Sequence, residues 1–281
     1  MNLSIGTTFN YAISLKEQLP RIKAAGFTHI SLGGGDLSHS GYLDAGRRKD
    51  LRYQLADNGI RICSIHAPFR VGVDISAPEP GPAQAALDLY KQCIDAAEEL
   101  AAAAVIFHPG PDRTGDDVRR KNTLTGQVIK LAEYIGARNI KLAVENLRNE
   151  VLNGALCYSL DMIRSPKYGL CFDTSHDNLT SRPREILKKY GDRMIAIHVS
   201  DNNGRADDHI LPYEGRIDWG KFCEIFARID YAGVFLLEVE MRESVFKDPD
   251  EFLRQAYTRG KKLLDLAGKG ADGGQVPLNN A

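Results

Sequence analysis

Residues 198–219 read HVSDNNGRADDHILPYEGRIDW, a stretch with two histidines, four aspartates and one glutamate. It begins where the apolar run MIAI (194–197) stops. Imidazoles and carboxylates at this density can hold a divalent cation or carry protons, and their position places them at the exit of a buried strand. The same thing happens elsewhere. SIHAPF ends an apolar run in His66, IFHPG in His108 and AVENL in Glu145, while CFDTSH ends in Asp173 with His176 close behind. IAIHVSD ends in His198, and LLEVE carries Glu238. Of seven histidines, three terminate such runs and two more, His176 and His209, follow them closely. Any one of these residues alone is ordinarily a hydrogen-bonded or ion-paired structural group. Six successive run ends carrying His, His, Glu, Asp, His and Glu need another explanation. Carboxylates gathered at a semi-buried site are costly without countercharge, and few basic residues stand at those ends to supply it. A divalent metal does so: imidazole with carboxylate suits Zn, Mn or Co, and the lack of a thiolate among them argues against a structural zinc.

The elements that must position these groups are short runs rich in β-branched residues: 3–7, 29–33, 61–66, 104–108, 141–146, 169–173, 194–199 and 234–239. Amphipathic helical patterns lie between them, at 15–26, 45–59, 83–103, 115–137, 155–163, 184–191, 219–229 and 249–268. Eight strand–helix units in about 265 residues predict an α/β chain folded as a single (β/α)8 TIM barrel over 1–268, with a flexible C-terminal tail over 269–281. A doubly wound open sheet is the competing architecture. Its glycine-rich dinucleotide loop is missing: the first run continues as GTTFNYA, and the GGG at 33–35 lacks the GxGxxG spacing. In a barrel the C-terminal strand ends converge on one mouth, so residues up to about 170 apart in sequence would face a common centre.

Composition narrows the function classes. With 36 basic and 37 acidic residues the net charge is −1, which argues against general attraction to nucleic acid or to an anionic membrane. No apolar run approaches the roughly 20 residues that span a bilayer. The opening MNLSIGTTF lacks the layout of a signal peptide. The five cysteines are odd in number and show no CxxC spacing; Cys63 and Cys171 lie in apolar runs, so free thiols in a reducing cytoplasm are expected. The sequence sets no oligomeric state and leaves a homo-oligomer open.

The pieces ENL (145–147), FDTSH (172–176) and HVSDN…DDH…EGRIDW (198–219) make the chain resemble the xylose isomerase-like TIM barrels. That group holds sugar isomerases and epimerases and the endonuclease IV type of DNA repair enzyme. The resemblance runs through nearly the whole chain, from IHAPF to LLEVE. It implies that Glu145, Asp173, His198 and Glu238 hold one metal, as in the isomerases and epimerases. The endonuclease branch has ligands for two further zincs, and their counterparts here are His66, His108, His176, Asp207 and His209. Asp208 stands beside Asp207 as an alternative, and Glu240 beside Glu238.

For an isomerase or epimerase the resemblance implies an enediolate route with Glu145 and Glu238 as acid and base and His176 on a substrate oxygen. The substrate would be a small carbohydrate, with Arg205 and Arg216 as candidate binding residues. Ketohexose epimerases place an arginine directly after the paired Asn, where this chain has Gly204 and then Arg205. The other readings are a trinuclear zinc phosphodiesterase acting on abasic DNA, a dehydratase or lyase on the same barrel, and a binding scaffold. The second-strand loop GGGDLSHSGYLD (33–44) is short for gripping a duplex. Trp219 is expected as a packing anchor, Phe69 as a pocket wall or barrel cap, and the basic run RRKDLR (47–52) as a solvated helix face.

Overall fold

Along each strand every second side chain meets the surrounding helices, and the ones between point into the barrel. The computed structural model describes residues 1–69, 72–111 and 118–272, with side chains described to residue 268. Its strands are β1 (Leu3–Gly6), β2 (His29–Leu32), β3 (Arg61–His66), β4 (Ala104–Phe107), β5 (Lys141–Glu145), β6 (Tyr168–Asp173), β7 (Met194–Val199) and β8 (Phe235–Leu237). Each pairs in parallel with the next, and β8 closes on β1 through Leu3↔Phe235 and Ile5↔Leu237, making the (β/α)8 barrel. The outward set, including Ile5, Phe107, Val144, Leu170, Ile197 and Phe235, is fully buried against the helices in one continuous core. The inward set is small and separate: Ile106, Ala143, Cys171 and Ala196 form their own cluster inside the barrel. One step further along the same strands, in the same inward register, come His108, Glu145, Asp173 and His198.

The helices are α1 (Leu15–Ala24), α2 (Leu37–Ser40), α3 (Ala45–Asn58), α4 (Pro80–Glu99), α5 (Arg119–Ile135), α6 (Glu150–Met162), α7 (Thr174–Asn178), α8 (Glu185–Tyr190), α9 (Trp219–Phe226) and α10 (Pro249–Asp272). Several starts are set by side-chain caps. Ser14 and Glu17 form a reciprocal capping box on α1, and Asp44 and Asp218 cap α3 and α9. The helix expected over 155–163 begins earlier, at Glu150, because Asn149 accepts from Val151 N and Leu152 N. Helices α2 and α7 are too short for a 3.6-residue period to show. The expected start of the 115–137 helix falls partly on 112–117, outside the described residues. Helix α10 runs to Asp272, into the stretch expected as a tail, and 273–281 lie outside the described residues.

The run RRKDLR departs from a simple solvated face. Arg47 donates to the Ser38 and His39 carbonyls, and Arg48 pairs with Glu99 at 2.5 Å, tying α3 to the α2 turn and to α4. Trp219 is buried and donates its indole N–H to Asp201 at 3.0 Å. All five cysteines are free thiols. No helix among the described residues is long and apolar enough to cross a membrane.

Candidate metal centre

Because the pleat repeats every two residues, the inward residues near the strand ends face the same mouth even where the pairing of neighbouring strands is staggered or shifted. Asp173 pairs with His198 across β6 and β7, and Glu145 with Cys171 across β5 and β6. His108 and Glu238 fall one residue past their strands yet join the same mouth. Nine sequence-selected residues thereby gather into three groups whose donor atoms lie within 4.8 Å of one another: His66 with His108 and Glu145; Glu145 with Asp173, His198 and Glu238; and His176 with Asp207 and His209.

Glu145 joins the first two groups through its separate oxygens. Its Oε2 lies 2.9 Å from His66 Nε2 and 3.4 Å from His108 Nε2, while Oε1 lies 3.1 Å from His198 Nδ1 and 3.4 Å from His176 Nδ1. Glu238 Oε2 stands 2.9 Å from the same His198 nitrogen. In the third group Asp207 Oδ2 sits between His176 Nε2 at 3.0 Å and His209 Nε2 at 3.1 Å. Asp208 instead accepts from Asn203 N, and Glu240 faces Arg242, so neither points into the mouth.

Three of the histidines are oriented from behind. His66 Nδ1 meets Ala67 O at 2.8 Å, His176 Nδ1 meets Asn146 O at 3.0 Å, and His209 Nδ1 meets Glu238 O at 3.0 Å. An Nδ1–H donated to a carbonyl leaves the Nε2 lone pair for a ligand. Asp173 caps α7 by accepting from His176 N at 2.6 Å, so the cap that starts the helix also aims the histidine. His209 is held at φ 47°, a left-handed conformation that a non-glycine residue adopts only under constraint.

The electrostatics of the cluster are those of carboxylates sharing imidazole protons. Burial favours a neutral Glu145, but the His198 charge and hydrogen bonds from His108, His176 and His198 override it and hold the carboxyl well below its usual range. Burial, reinforced by the charges of Glu145, Glu238 and Asp207, pushes Asp173 up to about 7 against the pull of His176. Burial alone would lower His209, yet the Asp207 hydrogen bond and charge push it up to about 10. His176 and His198 are also raised well above the ordinary imidazole value by their carboxylate and Cys171 neighbours, overcoming burial. Two buried oxygens, Asp173 Oδ2 and Asp207 Oδ1, have no hydrogen-bond partner among the described residues. Orphaned carboxylate oxygens among imidazoles fit a divalent cation. Cys171 lies within reach of Glu145 and His198, but burial pushes its thiol up to about 12, leaving it neutral.

Arg205 and Arg216 do not reach these groups: both are exposed, and neither side chain makes an ion pair among the described residues. Arg216 is not paired with its neighbours Glu214 or Asp218, which face Arg259 and Lys221. Phe69 is a wall of the mouth, its ring stacked 4.6 Å from His108 and edge-on 4.9 Å from His66, with 39% of its surface exposed.

Sequence reasoning missed three supporting residues. Asn146 clamps β6, donating to Asp173 O and accepting from Asp173 N. Asp201 gathers Asn202 N, Tyr213 N, Ile217 N and the Trp219 indole, folding the loop that delivers Asp207 and His209. Tyr11 stands near Glu238 and Glu240, and burial with those charges pushes its phenol up to about 12. The first two sit inside ENL and HVSDNN, and their place there was the available signal.

Comparison with known proteins places this arrangement. The chain is 28% identical over 290 residues to the uncharacterized protein y4fM of Sinorhizobium fredii, covering 93% of this chain and 92% of that one. It is 25% identical over 191 residues to a fructoselysine 3-epimerase of Shigella flexneri, covering 63% and 66%. The solved structure of L-ribulose 3-epimerase superposes with a TM-score of 0.79 at 17% identity, covering 97% of each chain. The family described as "Xylose isomerase-like TIM barrel" matches residues 19–258. The chain belongs to the xylose isomerase-like TIM barrel family.

Proposed function

We propose that the chain is a divalent-metal-dependent isomerase or epimerase of a sugar or sugar phosphate, working through an enediolate. The observation that carries this reading is the pair Glu145 and Glu238, which reach one histidine nitrogen, His198 Nδ1, from β5 and from the far edge of β8. Glu145, Asp173, His198 and Glu238 would hold the cation, which when bound supplies Lewis-acid stabilisation of charge developing on the substrate oxygens. Two carboxylates on opposite sides of a carbon can take a proton from one face and return one to the other. Glu238, with 18% of its side chain exposed against 1% for Glu145, is the more open to substrate and removes the proton. His176 donates to a substrate oxygen, and Phe69 excludes water above His66 and His108. The likeness to fructoselysine 3-epimerase supports a small carbohydrate substrate.

The test is incubation of manganese- or cobalt-loaded protein with a panel of ketoses and ketose phosphates in deuterated water. Deuterium at the carbon next to the carbonyl supports the enediolate; its absence from every sugar tried overturns it. A second reading, a multinuclear phosphodiesterase, is favoured by one observation: the two oxygens of Glu145 address separate ligand groups, an arrangement suited to a carboxylate shared by two ions. Three bound zincs per chain together with cleavage of an abasic duplex would transfer the assignment to it.

A further inference from the structure

The opposite end of the barrel is also open. TIM barrels ordinarily fill their lumen with layers of bulky branched side chains. Here Ile106, Ala143, Cys171 and Ala196 form one layer beneath the metal centre, and below it the small side chains Cys63, Ser64 and Ala104 leave a cavity of about 600 Å³ opening at the N-terminal mouth. That volume falls in the range of small-molecule sites, about 300–1,000 Å³. Solvent reaches Cys63, the third residue of β3, and Ile195, the second of β7, so the space is a pocket entered from below. Its walls are apolar, with Ile62, Leu100 and Leu236 closing the sides.

The rim has the opposite character. Arg52, Arg61 and Lys141 are exposed around the entrance, and none of the three makes an ion pair among the described residues. Among the described residues lining the pocket the one carboxylate is Glu99, which Arg48 engages through two hydrogen bonds, at 2.5 and 2.9 Å, with the Arg52 charge further off. The pocket is therefore an apolar well under three cations, none of them in an ion pair among the described residues. It is separate from the metal centre: His66 lies five residues along β3 from Arg61, roughly 16 Å at about 3.3 Å per residue. The floor at Cys63 and Ser64 is two to three residues in, a depth of about 7–10 Å by the same rise.

We propose that this N-terminal pocket binds an amphiphilic anion, a medium-chain aliphatic carboxylate whose chain enters the lumen and whose head group sits among Arg52, Arg61 and Lys141. The proposal does not depend on the reaction run at the other mouth. Calorimetric titration of the metal-loaded protein with butanoate, hexanoate and octanoate tests it. Saturable one-to-one binding is expected, tightening about fourfold for each added methylene that enters the well. Octanol and octylamine should bind at least about tenfold more weakly than octanoate. Lys141→Glu and Arg61→Glu, both on exposed side chains, should weaken octanoate by a similar factor while metal content stays unchanged. Ala196→Leu, which fills the lumen, should abolish binding; if it does not fold, the charge reversals decide alone. Absence of saturable octanoate binding overturns the proposal. So does equal binding of octanol, or octanoate affinity indifferent to both charge reversals, either of which would leave the cavity an unfilled lumen and no site.

Discussion

Asp201 offers the sharpest test of how the third ligand group is built. Its side chain is fully buried, with Oδ1 accepting from Asn202 N and Ile217 N and Oδ2 from Tyr213 N and the Trp219 indole, all at 2.9–3.1 Å. Asp201→Asn keeps one accepting oxygen for one of these pairs and turns an amide NH2 against the other. Two buried donors left unpaired cost ~1–3 kcal/mol each, and partial relaxation of the loop brings the total to about 3 kcal/mol. At about 2 °C per kcal/mol for a chain of this size, Tm should fall by about 6 °C. Because Asp207 and His209 ride on the 201–218 loop, uptake of zinc beyond the first equivalent, measured at saturating zinc, should fall as well. The group made by Glu145, Asp173, His198 and Glu238 stands on strands and should keep its ion. Trp219→Phe, which removes a single donor, should cost less. Thermal melts and elemental analysis read both effects. Melting within about 1 °C of the parent, with unchanged metal content, would refute the reasoning, since 1 °C here corresponds to under about 1 kcal/mol.

Other perturbations probe the same design. Asn146→Ala should lower metal affinity about 10–100-fold with the fold kept, because it frees Asp173 from its clamp without touching the ion; competition with a chromogenic chelator measures it. Gly34→Ala should disrupt the site: an added Cβ would stand 2.4 Å from Ala67 O and 2.6 Å from His66 O, both backbone atoms, so β3 must shift at His66, and loss of metal content would report it. The metal-free protein should lose stability as pH rises. His209 is raised from 6.5 to about 10, so its contribution is complete below 6.5 and lost as pH climbs through 10. Asp173 is raised from 3.8 to about 7, so it adds a loss of the same sign up to 7, whereas the depressed carboxyls of Glu145, Glu238 and Asp207 and the lowered His108 act oppositely only below about 6.5; melts from pH 6.5 to 10 after chelation check this, and a rise in Tm across that window would contradict it. Metal binding should correspondingly release protons, read as a buffer-dependent binding enthalpy.

The strands and six of the nine ligand candidates were legible because both obey short rules: a period of two, and a polar residue where an apolar run stops; His176, Asp207 and His209 came in through the family resemblance. His66, Glu145 and Asp173 needed nothing more than their place in a run. Asp207, and not its alternative Asp208, has the i, i+2 spacing that sets it on the same side of an extended stretch as His209, and it is Asp207 that meets His209. The role of Asp201 was illegible because its partners are three backbone amides and an indole brought together by the fold of the loop, and main-chain donors leave no mark in the sequence. Helix α7 was missed for a related reason: five residues begun by a cap that is also a ligand candidate show no periodicity. Arg205 and Arg216 came from the stretches that carry the resemblance, HVSDNN with its following arginine and EGRIDW, but side chains on an exposed loop are not bound to point where the strands point. The lower cavity was invisible because Cys63, Ala104 and Ala196 are each ordinary in a strand, and only their sum around a closed barrel leaves space.

The number of ions at the upper mouth decides between the two chemistries, and charge balance connects that number to a measurable proton. Glu145, Asp173, Asp207 and Glu238 bring four negative charges when ionised. One divalent cation in the four-residue group offsets two of them. The other two are offset by the protons that Asp207 helps hold on His176 and His209, both raised above the ordinary imidazole value against the pull of burial. The mouth is then close to neutral, which suits an uncharged polyhydroxy substrate. Filling all three groups displaces those protons and leaves a surplus of two positive charges, matching a phosphodiester together with a hydroxide. Imidazole nitrogen NMR during a zinc titration at neutral pH separates the cases. If the enediolate reading holds, His176 and His209 keep both protons after the first equivalent, and ketose turnover is already maximal there. Loss of both protons at the first equivalent would mean that the ion enters at Asp207, and the assignment of Glu145 and Glu238 as the acid–base pair would fall with it.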